Sequence, residues 1–90
     1  MKSLANSSII LIKSNINVYS EIACIAQRLS LKEDTKENCY YLDGFSMYVR
    51  KKQDNLWEIV LIDWPEISRS KLSMTVERLI KEKLGATIIH

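Results

Sequence analysis

Apolar residues recur at helical intervals in two parts of the chain. The first stripe consists of Val18, Ile22, Ile25 and Leu29, and the second of Leu72, Val76, Leu79 and Ile80. Spacings of three and four residues place each stripe on one side of an amphipathic α-helix. Capping residues and a helix-stopping glycine set the predicted boundaries. The candidate caps are Asn15 or Asn17 for the first helix and Ser68 or Ser70 for the second. The first helix is expected to end near Leu31, and the second before Gly85.

Other segments have the length or the alternation of β-strands. Residues 8–13 form a short, continuous apolar run, which predicts a strand buried on both faces. In residues 45–50 apolar and polar side chains alternate, which predicts a strand with two unlike faces. The apolar set is Phe45, Met47 and Val49, and the opposite set is Ser46, Tyr48 and Arg50. Residues 56–63 are largely apolar on both faces and predict a central strand, and residues 87–89 predict a last, short strand.

The connecting segments are polar. Residues 1–7 predict a loose N-terminal lead-in, and residues 8–90 predict a single domain. Residues 32–38 are mostly charged, which predicts a solvated loop or a helix tail. Asp43-Gly44 fits either a two-residue hairpin turn or a glycine bulge inside one long strand. The bulge is favoured, because residues 39–43 alone would make a short strand.

The element order is therefore β-α-β-β-α-β. Parallel strands need crossover connections, and such crossovers are right-handed almost without exception. A ferredoxin-like α+β fold satisfies both rules: a two-layer sandwich with a mostly antiparallel sheet and two helices on one face. Its first and third strands are central, and these are the two strands without a polar face here. One face of the sheet would then be open.

Charge, cysteine content and hydropathy narrow the class of protein. The formal net charge is +2, which is weak as a nucleic-acid signal. The two cysteines, Cys24 and Cys39, are expected to be buried free thiols in a reducing cytoplasm rather than a disulfide. The longest apolar runs are far shorter than the ~20 residues of a membrane helix, so no membrane partner is expected. Frequent Ile, Lys, Ser and Asn are typical of AT-rich bacterial and phage genes.

The chain has few of the residue types that catalysis requires, which argues against an enzyme. His90 is the only histidine and the last residue of the sequence, so a Ser or Cys nucleophile would lack an internal imidazole base. The same shortage predicts no metal site, because one histidine and two distant cysteines do not complete a zinc site. Gly44 and Gly85 are the only glycines, so no phosphate-cradling loop and no cofactor are expected.

Aromatic and basic residues near the predicted hairpin indicate a binding surface. Exposed Tyr and Trp beside Arg are typical of interface hot spots. The candidate protein-binding residues are Tyr41, Tyr48, Arg50, Lys51, Lys52 and Trp57. We expect a small inhibitor or immunity-type protein that blocks a protein target, such as a bacterial toxin, with the cations meeting acidic groups. The alternatives are a nucleic-acid-binding regulator that uses the basic hairpin and aromatic face, and a homodimer that senses a small ligand.

Overall fold

A computed structural model describes residues 6–64, 72–85 and 87–89. Their secondary structure consists of two helices and six strands. The elements are β1 (Asn6–Lys13), α1 (Val18–Arg28), β2 (Lys32–Asp34), β3 (Cys39–Leu42), β4 (Phe45–Gln53), β5 (Leu56–Asp63), α2 (Leu72–Leu84) and β6 (Thr87–Ile89).

The strands form one antiparallel sheet in the order β2-β3-β4-β5-β1-β6. The strand β5 lies between β4 and β1, and β1 lies between β5 and β6. The α+β class, the antiparallel sheet and the two helices predicted from the sequence are confirmed.

The core lies between the helices and one face of the sheet. The helices contribute Val18, Ile22, Ile25, Val76, Leu79 and Ile80. The strands contribute Ile10, Ile12, Phe45, Met47, Val49, Trp57, Ile59 and Leu61. Alternation in β4 is as predicted, because Phe45, Met47 and Val49 are all buried. The opposite sheet face carries the intervening side chains of each strand.

The ends of the helices follow the capping signals that fall within the described residues. Asn17, the second of the two predicted caps, accepts a hydrogen bond from the backbone amide of Ser20 at 3.4 Å. Leu29 caps the other end of α1, so the helix ends slightly before the predicted Leu31. Gly85 follows α2 with a φ of +59°, the left-handed conformation expected of a helix stop.

Several local predictions are wrong. Residues 32–34 form the edge strand β2 instead of a loop or helix tail, because they pair with β3. Asp43-Gly44 is a hairpin turn and not the favoured bulge, since Leu42 pairs with Phe45 across it and both turn residues have positive φ. The strand β1 begins at Asn6, inside the predicted lead-in, and is not buried on both faces, because Ile9 is 37% exposed.

Other predictions lie outside the described residues. They are the remainder of the lead-in (residues 1–5), the caps Ser68 and Ser70, and the terminal His90. Neither of the two described helices is long and apolar enough to cross a membrane.

Candidate functional site

The face of the sheet opposite the helices, here called the open face, is the candidate site. Cross-strand register fixes its members, because residues directly opposite each other point to the same side. One row contains Tyr41, Ser46, Ile62 and Ser7; the next contains Cys39, Tyr48, Val60 and Ile9; a third contains Arg50, Glu58 and Leu11. Within the described part of the chain, both helices pack on the other face.

Aliphatic side chains occupy the centre of the open face. Ile9 is exposed, and Leu11, Val60 and Ile62 are only partly buried. These four residues come from the two adjacent central strands β1 and β5, so they form a continuous apolar patch. Contiguous apolar surface that remains in contact with water is typical of an interaction site.

Two predicted site residues lie on the same face as this patch, Tyr48 directly beside it and Tyr41 one strand further out. Tyr48 lies opposite Val60 and is 36% exposed, while Tyr41 lies at the outer side of the sheet in β3 and is also exposed. A tyrosine in this position offers a rigid apolar ring and a hydroxyl to a partner.

Cys39 lies beside Tyr48 in the register, and the two groups affect each other's protonation. Burial raises the pKa of the Cys39 thiol above its ordinary value of 9.0, although a hydrogen bond with Tyr48 acts in the opposite direction. The charge of the Cys39 thiolate in turn raises the pKa of the Tyr48 hydroxyl. Both groups therefore hold their protons at neutral pH, and the thiol is a poor nucleophile.

Arg50 and Lys52 share one carboxylate on the open face. Nη2 of Arg50 lies 3.2 Å from Oε1 of Glu58, and Nζ of Lys52 lies 3.4 Å from Oε2 of the same side chain. Glu58 is 9% exposed, which makes it the one charged residue among the buried residues of the described chain. The hairpin of β4 and β5 thus carries a net positive cluster at one end of the open face.

Trp57 and Lys51 lie on the opposite side of the hairpin from Tyr48, so the six candidate residues do not share one face of the sheet. Trp57 is only 6% exposed, packs edge-on against Tyr19 at 4.9 Å between ring centroids, and donates its indole N–H to the carbonyl of Ser14. Lys51 lies opposite Trp57 in the register, with its ammonium 5.5 Å from the centroid of that ring. The structure therefore brings four of the six predicted residues to the open face: Tyr41, Tyr48, Arg50 and Lys52.

A groove of about 470 Å³ connects Tyr48 with the charged cluster. Its lining includes Glu37, Asn38, Tyr48, Arg50, Val60 and Ile62. The lining combines aliphatic side chains, one aromatic ring and charged groups, so the groove suits an apolar side chain that is joined to a polar one.

Residues that sequence reasoning missed include Glu58 and the aliphatic patch. Both depend on which residues lie opposite each other on neighbouring strands, and alternation within a single strand does not reveal this register. Cys24 was expected to be buried, but it is exposed on α1, and both cysteines are free. No three His, Cys, Asp or Glu side chains within residues 6–64, 72–85 and 87–89 come together as a possible metal site.

Comparison with known proteins found no family model, no curated protein and no solved structure that matches this chain. The chemistry of the open face is therefore the basis on which a function can be assigned.

Proposed function

We propose that this protein is a small, non-enzymatic binding protein of the inhibitor or immunity type, whose open face docks on a target protein and blocks it. The observation that carries the proposal is the apolar patch of Ile9, Leu11, Val60 and Ile62, bordered by Tyr48 and Arg50 on a face that neither described helix covers. A rigid apolar centre with an aromatic and arginine rim is the usual composition of an interface hot spot.

The chemistry of the patch favours a protein over a nucleic acid as the partner. Single-stranded nucleic acids bind through stacked aromatic rings and cations that are free to meet phosphates. The centre of the open face is aliphatic instead, and Glu58 neutralises one of the two positive charges that Arg50 and Lys52 bring to this face. Aliphatic side chains gain most from burial against another apolar surface.

The fold supports a role in steric occlusion. We assign the segment order β4-β5-β1-β6 to a ferredoxin-like sheet, with β2 and β3 added beyond β4. This arrangement gives a stiff, continuous surface, because each of the central strands is hydrogen-bonded on both sides. Such a surface can cover an active or binding site of a target such as a bacterial toxin without a conformational change.

We also propose that the protein acts in the cytoplasm. Cys24 and Cys39 are free thiols, and Cys24 is exposed. Exposed, unpaired thiols are typical of proteins that remain in a reducing compartment.

Capture of the target with matched variants tests the proposal. The tagged full chain is incubated with extract of its own host and with the products of neighbouring genes, and each captured protein is purified and titrated. We expect a partner with submicromolar affinity, and we expect the Tyr48→Ala/Arg50→Ala double variant to lose about 30-fold in affinity or more, because hot-spot truncation costs about 2 kcal/mol or more.

Lys51→Ala is the matched control, since it removes a neighbouring positive charge from the other face of the same strand. Its affinity should stay within about threefold of the wild-type value, as is usual for residues outside the interface. Absence of any submicromolar protein partner, or equal losses for the double variant and for Lys51→Ala, would contradict the proposal. Steeply salt-dependent binding to random RNA or DNA would replace it with a nucleic-acid function.

A further inference from the structure

Glu58 is placed unusually for a charged side chain on a sheet face that contacts solvent. It is 9% exposed and lies between Leu11 on β1 and Arg50 on β4 in the cross-strand register. Withdrawing a carboxylate from water is unfavourable unless cations and hydrogen bonds compensate for the lost hydration. Arg50 and Lys52 supply this compensation, with one cation at each carboxylate oxygen.

Each of the two cations is thereby tethered to one oxygen of the buried carboxylate. The strand register shifts between Lys51 and Gln53, and Lys52 lies at this irregularity with its ammonium reaching Glu58 at 3.4 Å. The side chain of Arg50 is still 68% exposed, although one of its nitrogens contacts Glu58. A guanidinium has five N–H donors in a planar fork, so an anchored arginine can bind a second carboxylate without first losing its rotational freedom.

The net charge of the Arg50, Lys52 and Glu58 cluster determines what kind of ligand it can bind. Two cations and one carboxylate leave a single net positive charge, which one further carboxylate would neutralise. The groove beside Arg50 is lined by Val60 and Ile62, which suit an apolar side chain, and also by Glu37, which repels additional negative charge. A polyanion is therefore a poor fit, whereas one acidic residue next to an apolar residue is a good one.

We infer that Glu58 is a positioning residue that fixes Arg50 and Lys52 as a clamp for one carboxylate side chain of the protein partner, whose neighbouring apolar side chain enters the groove beside Tyr48. This inference rests on the proposed function and specifies the chemistry of the partner surface. Glu58 acts through the two cations and does not itself contact the partner.

The first experiment uses capped dipeptides as probes of the full chain. Acetyl-Phe-Asp-amide, acetyl-Phe-Asn-amide and acetyl-Phe-Lys-amide are titrated into the ¹⁵N-labelled protein, with inorganic phosphate as a separate probe. We expect the Asp peptide to shift the amide signals of Tyr48, Arg50 and Lys52 and to bind about tenfold more tightly than the Asn peptide, because a charge-assisted hydrogen bond replaces a neutral one. Equal binding of the two peptides, or no binding of the Asp peptide, overturns the inference. Tighter binding of phosphate than of the Asp peptide overturns it in favour of a phosphate-bearing ligand.

The second experiment distinguishes positioning from simple attraction between charges. Glu58→Gln keeps the shape of the side chain but raises the net charge by one. If Glu58 positions the clamp, this variant binds the Asp peptide several-fold more weakly, and the Arg50 Nε–Hε signal moves toward the value of a free guanidinium. If net charge alone attracts the peptide, the same variant binds it more tightly, which overturns the inference.

A further variant covers the case in which Glu58→Gln does not fold. Arg50→Lys preserves the charge but removes the planar fork, and we expect it to weaken Asp-peptide binding about tenfold. Unchanged affinity overturns the clamp. Should a captured protein partner respond to Tyr48→Ala but not to Arg50→Lys, the proposed function stands and the clamp alone fails.

Discussion

The two aromatic residues Trp57 and Tyr48 lie on opposite faces of the same hairpin. Substitution of Trp57 should therefore lower the free energy of unfolding strongly, whereas substitution of Tyr48 should weaken partner binding and change stability little. Trp57→Ala removes a side chain that is 6% exposed, its edge-on contact with Tyr19 and the hydrogen bond from its indole N–H to Ser14. A buried aromatic ring removes roughly 150–250 Å² from water, which at about 25 cal/mol per Å² corresponds to about 4–6 kcal/mol. Partial relaxation and the remaining methyl group reduce this loss to about 3–5 kcal/mol.

Urea unfolding followed by circular dichroism measures the effect. A loss of about 4 kcal/mol with an m-value of about 2 kcal/mol/M lowers the midpoint by about 2 M, a large part of the stability of a domain of this size. Tyr48→Ala is the control, and its free energy of unfolding should fall by only about 1 kcal/mol, the scale of cross-strand pairs on a solvated face. A loss below about 1 kcal/mol for Trp57→Ala would refute the assignment of Trp57 to the core, and a loss above about 3 kcal/mol for Tyr48→Ala would refute the assignment of Tyr48 to the open face.

Two further predictions concern the pH dependence of stability and the turn between β3 and β4. Because burial raises the pKa of Cys39 above the 9.0 of an exposed thiol, its contribution to the free energy of unfolding is complete below pH 9 and is lost as the pH rises through the folded-state value. Urea titrations between neutral pH and the alkaline range should show this decline, and Cys39→Ala should make it shallower; an unchanged slope would contradict the assignment. Gly44→Ala should lower the free energy of unfolding by about 1–2 kcal/mol, because Gly44 has a φ of +83°, a conformation that disfavours a Cβ. Thermal or urea melts check this value, and a neutral effect would mean that the turn has a different conformation in solution.

The helices and β4 could be predicted because each has a strong local period, and β1 and β5 could be predicted because each is a short, largely apolar run. The stripe Val18, Ile22, Ile25 predicts one face of α1 whatever it packs against, and the alternation of Phe45, Met47 and Val49 does the same for β4. The strand β2 could not be predicted in this way. Its residues Lys32–Asp34 have no apolar period, and they adopt an extended conformation because β3 provides an edge with which they pair.

The placement of Trp57 and Tyr48 on different faces has one physical cause. In a regular hairpin closed by the pair Gln53 and Leu56, Trp57 would lie opposite Lys52 and would share a face with Tyr48 and Arg50. The irregularity between Lys51 and Gln53 shifts the register by one residue, so Trp57 lies opposite Lys51. The shift also brings Ile59 opposite Val49 and Leu61 opposite Met47, which unites the apolar stripes of both strands in one core.

The same shift accounts for the part of the candidate site that sequence reasoning missed. Glu58 comes to lie opposite Arg50 only because one residue of β4 is left out of the regular pairing. Burial of core residues on the other face drives this register, and no pattern of charges along the sequence indicates it. The position of Tyr48, in contrast, follows directly from the alternation within β4.

The position of β1 between β5 and β6 has a consequence for how the chain folds. Ile10 pairs with Ile59, 49 positions later, and with Ile88, 78 positions later, whereas β2 to β5 form a meander joined by short turns. Closing a long loop costs more conformational entropy than closing a short one, so we expect the meander to form first and β1 to insert afterwards. During synthesis the Ile-rich segment Ser8–Ile12 therefore emerges long before its neighbours exist, as an extended apolar sequence of the kind that initiates aggregation. Lys13 follows it directly, where a charge at the end of an apolar strand discourages assembly with other unfolded chains.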